Sequence, residues 1–211
     1  MATWNRAALA KRLFDLIVAS LGLVALAPLL LGIAIAVALS SPGPVFYRGW
    51  RTGLGGVPFR IFKFRTMVVG SEANGTTTAL RDPRVTRSGA VLRRWKLDEL
   101  PQLLNVVLGD MSLVGPRPEV AEHTEAYTDE ERAILSVRPG ITDLASIRFV
   151  HLAEEVGAED PHAVYVSQLR SMKNALRLKY VREQSFLGDL GILFRTLWAI
   201  ASPRRAKPGA A

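Results

Sequence analysis

Two adjacent carboxylates, Asp98 and Glu99, follow three cations, Arg93, Arg94 and Lys96, and further on Arg117 stands between Pro116 and Pro118. Cations hold phosphate oxygens while a carboxylate attacks or binds a metal, so this set suits chemistry on a phosphate. Simpler jobs stay open for each residue. Asp98 and Glu99 fall at the start of a helix read over 101–108, with Pro101 in its first turn. There the dipole favours ionised carboxylates, yet a plain N-cap is the commonest role for Asp. The two prolines lower the conformational entropy of presenting Arg117, which suits a fixed anion contact; a solvated turn fits the local sequence equally well.

Composition narrows the field. With no Cys, thiolate metal sites, disulfides and cysteine nucleophiles are excluded. His123, His151 and His162 show no metal-ligand spacing. The net charge of +8 is unevenly spread: residues 1–118 carry +9, residues 119–160 carry −8 and residues 161–211 carry +7. A basic body interrupted by an acidic segment fits an anionic membrane surface or a phosphorylated substrate. Nucleic acid is not expected, because no aromatic-interleaved basic motif or nucleic-acid module appears.

The elements that must position these residues begin with an uncharged apolar run over 16–39. As a straight helix it would be about 36 Å long, against a hydrocarbon core of about 30 Å. Pro28 interrupts the run and predicts a kink. Basic residues flank it on both sides (Arg6, Lys11, Arg12, then Arg48, Arg51, Arg60). The positive-inside rule assigns both flanks to the cytoplasm, which suits a helix that enters, bends at Pro28 and returns. A kinked spanning anchor remains the alternative.

Ser41-Pro42-Gly43-Pro44 ends that element. Strands are read over 45–48 and 59–65, the second alternating apolar with basic residues and carrying Lys63 and Arg65. Gly53-Leu54-Gly55-Gly56 between them reads as a hairpin turn rather than a phosphate cradle. A polar loop over 70–82 precedes a helical stretch over 90–94, and an amphipathic acidic helix is expected over 120–137. Two helices over 161–180 and 187–201 follow, the last with an apolar stripe that suits core packing or a membrane interface.

Taken in order, Lys11-Arg12-Leu13-Phe14-Asp15, the proline-broken run, Ser41-Pro42-Gly43-Pro44, Phe62-Lys63-Phe64-Arg65-Thr66-Met67, Asp82-Pro83-Arg84-Val85-Thr86, Leu97-Asp98-Glu99-Leu100-Pro101-Gln102, Gly115-Pro116-Arg117-Pro118 and Arg138-Pro139-Gly140-Ile141-Thr142 resemble the bacterial sugar transferase family, the monotopic phosphoglycosyl transferases. The resemblance is nearly continuous over 11–142. It implies transfer of sugar-1-phosphate from a UDP-sugar to undecaprenyl (polyprenyl) phosphate, with release of UMP, at the cytoplasmic face of a bacterial inner membrane. By that match Asp98 is a nucleophile forming a covalent phosphosugar intermediate in a ping-pong cycle. Asp98 and Glu99 would hold Mg2+, and Lys63, Arg65, Arg94 and Arg117 would contact substrate.

The implied fold is α/β mixed and mainly helical. A re-entrant membrane hairpin broken at Pro28 (1–44) would carry a small cytoplasmic catalytic domain with interfacial amphipathic helices (45–203) and a basic tail (204–211). Inner-membrane lipids are expected partners, and a homodimer is left open. The alternative is a non-catalytic membrane scaffold for glycan assembly, against which the intact Asp98, Glu99 and Arg117 argue. Two departures stand out. Ala27 replaces the family's common Ser before the membrane proline, leaving less local hydrogen bonding to support the break. Asp143 and Ser146 stand where many members have Gly and a nearby Gln, a change that fits a different sugar and leaves the acidic pair untouched. The size fits a minimal form or the catalytic part of a larger enzyme.

Overall fold

The computed structural model describes residues 6–71, 82–149 and 161–202. The basic tail at 204–211, most of the polar loop at 70–82 and His151 lie outside the described residues.

Helix α1 runs from Arg6 to Ser40, 35 residues, with Pro28 inside it. It stops where Ser41-Pro42-Gly43-Pro44 begins, Gly43 taking a φ of 119° that L side chains avoid. The terminal carbonyls have no partners within the helix, and a side chain from elsewhere supplies them. The Arg65 guanidinium donates to the carbonyls of Ser41 (2.6 Å), Val37 (3.5 Å) and Pro42. Most of the helix surface is exposed and apolar.

The helix runs through Pro28 without the expected break, and two stretches of it touch the rest of the molecule. Near the N-terminus, Arg12 donates to the Val106 carbonyl at 2.8 Å, Ala19 enters the main core, and Gly22 faces Leu103. Nearer the C-terminus, Ile33 and Val37 pack with Phe64 and Leu92. Pro28 between them is exposed.

The body is mainly helical, as expected, with three small two-stranded sheets among the described residues. Strand β1 (Phe46–Tyr47) pairs antiparallel with β4 (Lys63–Phe64), and β2 (Trp50–Thr52) with β3 (Pro58–Arg60). The single strand read over 59–65 is therefore split. Between its halves the Asn105 side chain takes the place of a strand partner, accepting from the Phe62 N–H (2.8 Å) and donating to the Arg60 carbonyl (2.9 Å). Asn105 belongs to α3 (Gln102–Leu108), which follows α2 (Arg87–Arg94).

Strands β5 (Ser112–Val114) and β6 (Gly140–Thr142) pair in parallel, Ser112 opposite Gly140 and Val114 opposite Thr142. Just past β5 the backbone is so crowded that a Cβ on Gly140 would overlap the Gly115 main chain and one on Gly115 would overlap the Arg138 carbonyl. Only glycine fits, and this sets where the loop carrying Arg117 leaves the sheet.

The acidic helix expected over 120–137 is interrupted. Helix α4 (Ala121–Glu125) ends early, and a 3-10 stretch (Glu131–Ser136) starts afresh. Thr128 and Glu131 cap each other reciprocally there: the Thr128 N–H donates to Glu131 Oε2 (2.9 Å), and the Glu131 N–H donates to Thr128 Oγ1 (3.2 Å). This capping box opens a new helix rather than continuing the old one.

Next come α5 (Leu144–Arg148), α6 (Pro161–Val164), a π-turn (Tyr165–Leu169), α7 (Arg170–Glu183) and α8 (Phe186–Ala201). The main core joins Ala19 of α1 to Val106, Met111, Leu113, Val114, Tyr180 and Ile192. Buried polar contacts tie the same elements together. Lys11 Nζ meets Asp189 at 2.5 Å and the Val114 carbonyl at 3.2 Å, the single Tyr180 hydroxyl lies within hydrogen-bond distance of both, and Ser112 Oγ donates to Asp15 at 2.7 Å.

Candidate active site

Lys96 has a left-handed backbone, φ 56° and ψ 20°, the only non-glycine positive φ among the described residues. Such a conformation costs a Lys on the order of 1–2 kcal/mol and turns the chain sharply after α2. The next three residues, Leu97–Glu99, form a 3-10 turn that leads through Pro101 into α3. Asp98 and Glu99 therefore lie just before the helix, as the placement of Pro101 suggests. Neither caps it through its side chain among the contacts present.

Asp98 is 1% exposed. Lys63 Nζ lies 2.8 Å from its Oδ2 as an ion pair, and Oδ1 has no hydrogen-bond partner among the described residues. Glu99, also buried, is held differently. Arg117 grips it with both arms, Nη1 to Oε2 at 2.8 Å and Nη2 to Oε1, while Lys63 Nζ stands 3.5 Å from Oε1. Burial pushes the Glu99 carboxyl up, but Arg117 and Lys63 overcome this and hold it well below the usual carboxylate range. Glu99 in turn raises the Arg117 guanidinium above its ordinary value.

The structure thus brings Lys63, Asp98, Glu99 and Arg117 together, and it places two other expected substrate contacts elsewhere. Arg65 is buried at the end of α1, because the chain leaves β4 after Phe64 and the strand alternation stops before reaching it. Its guanidinium neutralises the negative end of the α1 dipole. Arg94 is exposed and lies against the Trp95 ring at 5.7 Å.

Arg93 takes the inward position instead. Its Nε donates to Thr66 Oγ1 at 2.8 Å, and Asp98, Asp82 and Glu99 all act on its charge while burial lowers its pKa. The phase of α2 decides this. Gly89 lies so close to the Thr66 backbone that a Cβ would overlap it, and Arg93, four residues on, shares that face. Lys96 joins the cluster: burial lowers its pKa against the pull of Glu99. Gly53-Leu54-Gly55-Gly56 forms the turn between β2 and β3, as read from the sequence.

Arg117 is presented by a doubly anchored loop. Its own backbone N–H donates to Asp143 Oδ2 at 3.1 Å, and Pro116 accepts the Gly140 N–H at 3.0 Å. Asp143 was notable in the sequence only as a departure; here it is fully buried behind the loop. Ser146 contributes its backbone N–H to Asp143 Oδ1 at 2.6 Å. A cluster of anchored cations around one carboxylate with unused lone pairs can bind a diphosphate and attack it.

Comparison with known proteins agrees with this chemistry. The bacterial sugar transferase family model matches residues 6–203. A UDP-glucose:undecaprenyl-phosphate glucose-1-phosphate transferase of Caulobacter vibrioides is 42% identical over 193 residues, covering 90% of this chain and 68% of that protein. The Xanthomonas campestris protein of the same name is 40% identical over 96% of this chain, which spans 41% of its length. The exopolysaccharide production protein ExoY of Sinorhizobium fredii is 38% identical, covering 93% of this chain and 87% of its own. The chain belongs to the bacterial sugar transferase family.

Proposed function

We propose that this protein is a membrane-bound phosphoglycosyl transferase that moves sugar-1-phosphate from a UDP-sugar to undecaprenyl phosphate in two steps through Asp98. The observation that carries the mechanism is the state of Asp98: buried, paired through Oδ2 with Lys63 at 2.8 Å, and with no partner on Oδ1 among the described residues. Such a carboxylate keeps its lone pairs available, whereas hydrogen bonding and hydration would blunt it.

In the first step an Asp98 oxygen attacks the phosphorus that bears the sugar. A bond from the carboxylate oxygen to that phosphorus forms as its bond to UMP breaks, UMP departs as an anion, and an acyl phosphate of Asp98 bearing the sugar remains. In the second step a phosphate oxygen of undecaprenyl phosphate attacks the same phosphorus and expels the carboxylate. The product is an undecaprenyl-diphosphate sugar, and Asp98 is regenerated. Arg117 and Lys63 are placed to bind the diphosphate oxygens and stabilise their growing charge. To do so Arg117 shares its fork between Glu99 and substrate.

Mg2+ fits the donor chemistry. This ion uses one or two carboxylates plus substrate phosphate oxygens, and Asp98 and Glu99 form such a pair. Bound there, it would neutralise diphosphate charge.

For the membrane arrangement, both limbs of α1 rest on the same catalytic body while Pro28 stands exposed between them. A helix crossing the bilayer would put those two contacts on opposite sides, so they support a re-entrant, monotopic element on the cytoplasmic face. Helix α8 supports an interfacial role. Leu187, Phe194, Leu197 and Trp198 are exposed, and Phe186 meets Phe14 of α1 edge-on at 5.1 Å, joining the two apolar surfaces.

The sugar is left at the level of a hexose, since the relatives' names include both glucose and N-acetylgalactosamine transfer. The test is UMP release from a panel of UDP-sugars with undecaprenyl phosphate and Mg2+. One UDP-sugar should be turned over, with a phosphosugar adduct on Asp98 by intact mass when the lipid is withheld. Asp98→Asn should lose both signals by at least about 10³-fold. Near-normal turnover by that variant would rule out the nucleophile.

A further inference from the structure

Behind Arg117 lies a second buried charge cluster that no reaction step touches. Asp143 is 0% exposed and Arg177 is 1% exposed. The Asp143 carboxylate divides its work: Oδ1 caps α5 through the Ser146 N–H, and Oδ2 accepts the backbone N–H of Arg117. Arg177 Nε stands 3.7 Å from that same Oδ2. The other end of the Arg177 guanidinium donates to Glu119 Oε1 at 2.5 Å, and Tyr165 donates to Glu119 at 2.9 Å. The loop is therefore pinned at Arg117 and at Glu119, on either side of Pro118, and both pins end on one guanidinium.

We propose that Asp143 and Arg177 are positioning residues for Arg117: they fix the backbone from which its side chain reaches the diphosphate. The assignment rests on the reading of Arg117 as a phosphate contact. Capping alone does not account for Asp143, since Ser, Thr or Asn would cap α5 as well with a single oxygen. The second oxygen is what holds the loop. A carboxylate this deeply buried needs a cation, and Arg177 is the buried cation beside it. Arg177 joins Asp143 to Glu119, so displacing either carboxylate disturbs both ends of the loop. Small errors in the placement of a charged contact are costly, about 10²-fold for about 1 Å.

The test is a double-mutant cycle on the full chain in detergent or nanodiscs, read as UMP release. Asp143→Ser keeps a capping oxygen and loses the contact to Arg117. It should lower kcat/KM about tenfold, largely through a higher KM for UDP-sugar, measured at a temperature well below its own, lowered unfolding midpoint. In an Arg117→Ala background the same change should cost less than about twofold, because there is no side chain left to position. Equal penalties in both backgrounds, with Arg117→Ala itself impaired, would overturn the positioning role and leave the phosphate contact standing. An unchanged kcat/KM for Asp143→Ser would overturn it as well. Near-wild-type turnover by Arg117→Ala would instead sink the phosphate contact and the positioning role together. If Asp143→Ser does not fold, the isosteric Asp143→Asn carries the same comparison, since its amide cannot accept both N–H groups.

Discussion

Two charge clusters sit back to back across the loop that carries Arg117, and they differ in how completely their carboxylates are satisfied. In the rear cluster each carboxylate has several donors: Tyr165 and Arg177 on Glu119, Ser146 and Arg117 backbone N–H groups on Asp143. In the front cluster Glu99 is gripped by Arg117, while Asp98 is paired with Lys63 through Oδ2 and has no partner on Oδ1 among the described residues. Both clusters are removed from bulk water, so burial does not separate them. What separates them is satisfaction. A carboxylate whose lone pairs are all engaged is part of the scaffold; one left open in the same low-dielectric surroundings can react.

Stability offers the largest contrast between the two. Arg177→Met would leave Glu119 and Asp143 buried without their shared cation, with an expected loss of about 3–5 kcal/mol in denaturant unfolding. Asp98→Asn alters a carboxylate whose Oδ1 has no partner among the described residues, so the unfolding free energy should stay within about 1 kcal/mol of wild type. Equal losses would erase the distinction between scaffold and reactive cluster. A smaller effect separates two neighbouring arginines. Arg93→Ala should reduce kcat/KM for UMP release at least about tenfold, or about 1.4 kcal/mol. Arg94→Ala, which removes an exposed side chain lying on Trp95, should stay within about twofold. The reverse order would move the inward face of α2 by one residue.

That pair of arginines shows where sequence reasoning stops. The residue types around Asp98 and Glu99, and Arg117 between two prolines, suit phosphate chemistry, and the ordered motifs around them, through the family resemblance, give them their expected roles. Which of two adjacent cations points inward depends on helix phase, and that phase is set by the approach of Gly89 to Thr66, a tertiary contact. The resemblance places Arg65 with the substrate contacts and strand alternation puts it on the face of Lys63, but β4 ends at Phe64 and the α1 carbonyls draw the guanidinium away. The left-handed Lys96 carries no sequence signal, since Gly or Asn is the usual marker of that conformation. The break in the acidic helix was legible in Thr128 and Glu131, whose spacing is that of a capping box. The rear cluster was not: Asp143 and Arg177 lie far apart in the chain and meet only once α5 and α7 pack.

The rear cluster can also be tested through pH. Lys173 is 7% exposed, and its ammonium lies 4.8 Å from the Tyr165 ring centroid. Burial pulls its pKa down to about 8, with Glu119 opposing the shift. An unfolded Lys titrates near about 10.4, so between those values the unfolded chain holds a proton that the folded chain has released. The unfolding free energy contributed by this group therefore rises with pH from about 8 to about 10.4, and below that window the cost of burying the charge is fully present. Unfolding of wild type and Lys173→Met between pH 7.5 and about 9.5 isolates the term, below the range in which unfolded tyrosines ionise. The wild-type curve should gain on the variant by up to about 1.4 kcal/mol per pH unit. Parallel curves would mean that Lys173 is as well hydrated as a surface lysine, and that the rear cluster is open to water in the same way as a surface site.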